Sequence, residues 1–197
     1  MNSLTTKQDY RDSVAAACKQ LTEAEKNLAQ AGIYQQLFNL PEFKKAKTIL
    51  AYVSCQHEID TQPLLTSCLS SEKQLLLPKI NRKNISLHIY PITNLEQDLV
   101  CGPYANILEP KGHTETFPKD QVIDLIIIPA MAFDKKGQRL GRGMGYYDRF
   151  LLSHPESIVV GLAYEEQVFN EIPAETHDQP IDVLITPTQT FCFDRAR

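Results

Sequence analysis

Residues Arg139-Leu-Gly-Arg-Gly-Met-Gly-Tyr-Tyr-Asp-Arg149 place three glycines, three arginines, two tyrosines and a carboxylate within eleven positions. Glycines at 141, 143 and 145 let backbone N–H groups approach an anion closely, and a helix starting after them would add its positive end. Arg139 and Arg142 supply planar forks that match phosphate oxygens. Asp148 stands where it would hold a divalent cation bound to the same phosphate. Tyr146 and Tyr147 offer faces for stacking on a planar heterocycle, or would serve equally by packing in a core. The spacing is neither G-x-x-x-x-G-K-[ST] nor G-x-G-x-x-G, so it speaks for phosphate binding in general.

Other groups extend this chemistry. Lys7 and Arg11 are four apart, on one helix face, where two long cations can clamp an oligophosphate; a solvated face has the same spacing. Glu58, in His57-Glu-Ile-Asp-Thr61, is an acceptor for ligand N–H groups, or a carboxylate favoured by a nearby helix N-terminus. Asp148 and Asp182 are the candidate magnesium ligands, because magnesium takes one or two carboxylates and fills its shell with phosphate oxygens and water. His177, beside Asp178, reads as a loop histidine with a local hydrogen bond rather than a proton shuttle. No G-x-S-x-G, H-E-x-x-H or C-x-x-C occurs, and the cysteines number five. That argues against a protein nucleophile, a structural zinc and a disulfide framework. What remains is an enzyme or binder that handles a nucleotide phosphate with magnesium and forms no covalent protein intermediate.

Charge fits this reading. The net charge of −4 gives no global attraction for nucleic acid. Residues 134–149 carry a local +3, while residues 164–182 hold six acidic residues and no Lys or Arg. The apolar stretch 125–133 is too short to span a bilayer, and the opening Met-Asn-Ser-Leu-Thr-Thr-Lys has no apolar core of a leader. A cytoplasmic protein with neither nucleic-acid nor membrane partners is expected.

The elements that must position these residues alternate. Residues 7 to about 31 read as one helix with Gly32 as its stop, followed by a short helix over 33–40. Residues 61–70 and about 145–153 read as further helices. Strands are expected at 48–53, 74–77, 86–90, 124–128, 158–163 and 183–186, with 91–121 as mixed loop and a long glycine-rich loop after Ile128. The pattern predicts an α/β fold: a single domain over residues 1–197 with a mostly parallel sheet flanked by helices. Ligands of such sheets bind beyond the carboxyl ends of the strands. Glu58, the basic glycine loop and the acidic stretch after Ala163 are therefore expected in one cleft.

These residues also carry a resemblance to a known family. Asp124-Leu-Ile-Ile-Ile-Pro-Ala-Met-Ala-Phe-Asp134 followed by Gly137-Gln-Arg-Leu-Gly-Arg-Gly-Met-Gly-Tyr-Tyr-Asp-Arg149 resembles the signature of 5-formyltetrahydrofolate cyclo-ligases, the methenyltetrahydrofolate synthetases. Lys7-x-x-x-Arg11, Glu58-Ile-Asp-Thr61, Ile107-Leu-Glu-Pro110, Ile172-Pro-Ala-Glu-Thr-His-Asp178 and Asp182-Val-Leu-Ile-Thr186 match in order. The resemblance implies an α/β fold like that of glucosamine-6-phosphate deaminase, ribose-5-phosphate isomerase and the CoA transferases. It implies ATP-dependent cyclisation of 5-formyltetrahydrofolate, with or without a polyglutamate tail, to 5,10-methenyltetrahydrofolate, with magnesium, by a monomer. ATP positions carried over are Lys7, Arg11, Arg139, Leu140, Gly141, Arg142, Gly143, Met144, Gly145, Tyr146 and Tyr147. Folate positions are Val53 and Glu58, with Arg142, Gly143, Met144, Gly145 and Tyr146 shared between the ligands. Asp148 and Asp182 are the implied metal positions, and Arg142, Tyr147 and Asp148 the implied catalytic ones. Met144 stands where members often have Lys or Gly. Ala105-Asn106 stands where they commonly have a bulky aromatic or a glycine, which leaves Tyr104 as the candidate wall for the pteridine. A sugar-phosphate isomerase-like enzyme of the same fold, without ATP, is the alternative reading; an RNA-binding module conflicts with the acidic charge.

Overall fold

The computed structural model describes residues 4–55, 58–102, 107–112 and 115–195. His57 and the stretch from Tyr104 to Asn106 lie outside them. The chain opens with α1 (Lys7–Gln20) and α2 (Glu23–Asn39), where a single helix and a short successor were expected. Thr22 explains the break: its hydroxyl accepts from the Glu25 N–H while the Glu25 carboxylate accepts from the Thr22 N–H, a capping box that starts a new helix. Gly32 is not a stop but lies inside α2. A Cβ there would sit 2.4 Å from the Pro187 carbonyl oxygen, so glycine is what lets the helix press against that loop. The contact outweighs the roughly 1 kcal/mol that glycine costs a helix.

After α3 (Pro41–Lys45) come β1 (Thr48–Leu50), α4 (Gln62–Leu69), β2 (Gln74–Asn81) and β3 (Ser86–Ile92). A short α5 (Leu95–Asp98) leads into β4 (Leu99–Cys101) and β5 (Leu108–Pro110), a small hairpin within the segment read as loop. Then follow β6 (Leu125–Ile128), β7 (Ala132–Asp134), β8 (Arg139–Leu140), α6 (Tyr146–Leu152), β9 (Ile158–Leu162), β10 (Val168–Phe169), β11 (Val183–Ile185) and β12 (Thr190–Cys192).

The main sheet has seven strands in the order β12-β11-β9-β6-β1-β2-β3. β11, β9, β6, β1 and β2 run parallel, and the antiparallel β12 and β3 form the edges. All four residues of β6 are fully buried. They lie mid-sheet, with both faces covered, which is why the strand is continuously apolar rather than alternating. One face packs under α1, α2 and α4 around Ile33, Leu37, Leu64 and Ile127; the other holds Ile126, Ile128, Phe133 and Leu151 of α6.

Two features of this sheet position the site. Strand order reverses between β1 and β6: from β1 the chain goes outward to β2, then returns to the other side. Such a switch point opens a crevice at the carboxyl ends. Secondly, β2 pairs with β1 only through Gln74, Leu75 and Leu76, whereas it stays paired with β3 as far as Asn81. Five residues of the hairpin thus project roughly 16 Å past β1, at about 3.3 Å per residue. The projection makes a wall beside the crevice. The glycine-rich loop is itself partly a sheet: β7, β8 and β10 pair as three strands of two or three residues, too short to leave a periodic signal. Asp134, fully buried, fixes their turn by accepting from the N–H groups of Lys136, Gln138 and Ile172.

Candidate active site

A cavity of about 1040 Å³ occupies the switch point. That is at the upper end of the range for small-molecule sites and suits two ligands side by side. Tyr52, Val53 and Glu58 enter it from the end of β1, Pro129 and Ala130 from the end of β6, and the hairpin wall bounds it. Lys7, Arg11, every residue from Arg139 to Asp148, and Glu175, His177 and Asp178 also line it, as do Cys55 and Gly102, Ile107, Leu108 and Glu109 from the β4–β5 hairpin. The three sequence-distant groups expected in one cleft do meet there.

The glycine turn is shaped by backbone needs. Gly143 has φ +101° and Gly145 φ +64°, the left-handed region that side chains disfavour. Arg11 does not reach outward alone; its Nε donates to the Gly141 carbonyl at 2.9 Å, tying α1 to the turn. Lys7 is held by Asp178 at 2.7 Å and Glu175 at 2.9 Å. Burial opposes its charge, but these two bonds prevail and raise its pKa. Asp178 answers in kind: burial pulls its pKa up, and the Lys7 bond, with the Glu175 N–H, brings it below the ordinary carboxylate value.

Arg139 is almost wholly buried. Its Nη2 lies 2.6 Å from Asp148 Oδ1, and its Nε is buried without a partner among the described residues. Burial lowers its pKa against the pull of Asp148. Asp148 Oδ1 also accepts from the Gln179 N–H at 3.1 Å. Arg142 is exposed, yet its Nη2 reaches Glu58 Oε1 at 3.1 Å and donates to Cys55 Sγ at 2.7 Å. Burial disfavours its charge, while Glu58 more than compensates. The Cys55 thiol is pushed up to about 12 by burial and by Glu58, so it is no nucleophile. Burial, then Glu58, raises the phenol pKa values of Tyr52 and Tyr147, keeping both as neutral donors.

One expected ligand is misplaced. Asp182 does not join Asp148. It precedes β11 and so lies toward the amino ends of the strands, while the cavity lies beyond the carboxyl ends. Its Oδ2 accepts from the Val159 N–H at 2.7 Å and faces Arg195 Nη1 at 3.5 Å, and its own N–H donates to the Val159 carbonyl. These bonds stitch β11 and the C-terminal segment to β9. Among the described residues no group of three or more His, Cys, Asp or Glu side chains forms a metal cage. Residues the sequence did not single out are Tyr52, Glu175 and the hairpin wall. Tyr52 adjoins Val53, but nothing in its spacing separates it from other strand residues.

The model of the 5-formyltetrahydrofolate cyclo-ligase family matches residues 3–187. The chain belongs to that family. Among curated members, the Haemophilus influenzae 5-formyltetrahydrofolate cyclo-ligase is 32% identical, covering 91% of this chain and 97% of its own. The mitochondrial cyclo-ligase of Arabidopsis thaliana is 32% identical over 92% of this chain and 74% of its own. The solution structure of Aquifex aeolicus 5,10-methenyltetrahydrofolate synthetase superposes with a TM-score of 0.83 at 34% identity, covering 98% and 95% of the two chains. The Mycoplasma pneumoniae 5,10-methenyltetrahydrofolate synthetase, at 23% identity and a TM-score of 0.74 over 93% and 99%, shares the fold. The cyclo-ligase match spans every cavity-lining residue, from Lys7 to Asp178.

Proposed function

We infer that this chain is an ATP-dependent cyclo-ligase that converts 5-formyltetrahydrofolate to 5,10-methenyltetrahydrofolate with release of ADP and phosphate. Within a member of this family, the observation that carries the reading is the meeting of a cation-lined glycine turn and a buried carboxylate, Glu58, in one cavity large enough for both substrates.

The chemistry needs such a site. A formamide carbon is a poor electrophile and its oxygen a poor leaving group. The formyl oxygen attacks the γ-phosphorus of ATP, ADP departs, and the carbon becomes activated. N10 of the same molecule then attacks that carbon; the C–N bond forms, the C–O bond breaks, and phosphate and the amine proton leave. The second step is intramolecular, so positioning supplies much of the rate. No protein nucleophile is required, and the protonated Cys55 agrees.

The residues divide the work. Lys7, Arg139, Arg142 and the N–H groups of residues 140–147 hold phosphate oxygens and stabilise charge spreading in the transfer. Arg11 shapes the turn they hang on and adds its charge. Glu58 accepts N–H groups of the pteridine, with Val53 and Tyr52 beside it; Tyr146 and Tyr147 contact the ligands from the turn. Arg142 and Glu58 hold each other until ligands part them, which links filling of the folate end to readiness of the phosphate end.

Magnesium fits the donor set as a phosphate-borne ion. Both hydrogen bonds to Asp148 fall on Oδ1, so Oδ2 would hold the ion, with phosphate oxygens and water as its other ligands. When bound it neutralises charge on the β- and γ-phosphates. Asp182 has no part in this.

The deciding experiment mixes the protein with 5-formyltetrahydrofolate, ATP and magnesium and follows the absorbance of the methenyl product. Product whose formation requires ATP is expected. Folded protein that makes none refutes the reading, and turnover of a sugar phosphate without ATP would favour the isomerase alternative.

A further inference from the structure

Arg149 lies on α6 with its side chain exposed, yet it joins two separate walls of the cavity. Its Nε donates to the Ile85 carbonyl at 3.2 Å, at the tip of the β2–β3 hairpin. Its Nη2 donates to the Met144 carbonyl at 2.7 Å, inside the glycine turn. The first acceptor sits in strained backbone, and the second sits between two left-handed glycines. Ile85 has φ +46°, the only positive value at a non-glycine among the described residues, and a β-branched residue is poorly suited to it. Met144 lies between Gly143 and Gly145, both left-handed. A strained conformation persists only where its surroundings over-determine it, and such strain gathers at functional sites. The guanidinium reaches two carbonyls on different segments through two separate nitrogens, Nε and Nη2, a spread that the single nitrogen of a lysine lacks.

The hairpin is one wall of the cavity and the glycine turn the other. We propose that Arg149 is a positioning residue that clamps the hairpin tip to the glycine turn, closing the compartment so that the activated formyl carbon meets N10 and not water. This rests on the cyclo-ligase reading. Attack by N10 gives the product. Attack by water on the same carbon forms a new C–O bond, breaks the bond to the phosphate oxygen, and releases phosphate and protons. 5-Formyltetrahydrofolate is regenerated, and the net reaction is hydrolysis of ATP to ADP and phosphate. Exclusion of water from a closed site suppresses such side reactions.

The test uses the full chain, Arg149→Ala and Arg149→Lys, with ADP and methenyl product measured in the same reaction. The parent is expected to release one ADP per product. Arg149→Ala should fold and melt as the parent does, because the side chain is exposed. Its ADP-to-product ratio should rise at least about threefold if water enters the opened site, and the excess ADP should require 5-formyltetrahydrofolate. Arg149→Lys should leak as well, since one nitrogen replaces two that are held apart by the planar fork. A ratio that stays at one in Arg149→Ala overturns the clamp, whatever happens to turnover. So does full rescue by lysine, or excess ADP independent of folate. A parent that forms no methenyl product overturns the cyclo-ligase reading and the clamp with it, an outcome distinct from the other three.

Discussion

The two ends of the cavity are built on opposite principles. At the end proposed to take folate, Tyr52 and Val53 continue β1 out of the main sheet, and Glu58 stands in the loop before α4. At the end proposed to take phosphate, the turn from Gly141 to Gly145 has two left-handed glycines and an exposed Arg142 and Met144, and is held from outside by Arg11 and Arg149. A pteridine has a fixed outline and needs fixed acceptors. A phosphoryl group moves during the reaction, and the N–H groups that follow it need a backbone with few side chains in the way. The comparison teaches that side-chain acceptors gather where the proposed ligand has a fixed outline, and backbone donors where a group would move.

If that contrast holds, substitutions at the phosphate end should cut turnover, while those at the folate end should raise the folate KM. Asp148→Asn is expected to have the largest effect: a loss of about 10²–10³ in kcat, the scale of removing one transition-state electrostatic partner. It should also destabilise the protein, because Arg139 keeps its charge in a buried place; a thermal melt alongside the product assay checks both. Full activity in this variant would remove Asp148 from the metal and catalytic roles. Arg142→Ala should lower kcat/KM for ATP by roughly 10- to 100-fold, the range of a charge-assisted hydrogen bond at about 1.5–3 kcal/mol. Its melting temperature should fall modestly, since the nearly buried Glu58 carboxylate loses its partner. Unchanged ATP kinetics would mean that the phosphate end lies elsewhere.

Glu58→Gln should raise the folate KM by about tenfold, on the same hydrogen-bond scale, and leave the ATP KM nearly unaltered. Equal effects on the two would erase the division between ends. Lys7→Met sharpens the picture through pH. Asp178 has its pKa lowered in the folded state, so its contribution is present above the unfolded carboxylate value near 4 and is lost as pH falls through the folded value. The stability gap between parent and Lys7→Met should therefore be widest near neutrality, at under about 1 kcal/mol for so open a pair, and should shrink in acid melts. A gap that grows on acidification contradicts the assignment. Asp182→Asn is expected to have the smallest effect on turnover, none beyond the error of the assay, while weakening the joint between β9 and β11. A loss of magnesium dependence there would restore it to the site.

The sequence alone determined much of this protein. Nearly continuous apolar runs at 124–128 and 158–163 read as strands covered on both faces, and a cation-and-glycine run after the first of them spoke for phosphate before any fold was known. Strand direction even placed Glu58, the turn and the acidic stretch after Ala163 on one side. Local patterns reach no further than a turn or two, and what they missed is of that kind. Gly32 interrupts no helix because Pro187, distant in sequence, presses on it. Asp182 looked equivalent to Asp148 because both are aspartates beside regular elements; only the sheet shows that one enters the cavity and the other locks β11 to β9. The order of strands, the overhang of the β2–β3 hairpin and the reach of Arg149 to Ile85 and Met144 were decided by tertiary structure, because each depends on which segments become neighbours, and the composition of neither segment records the other.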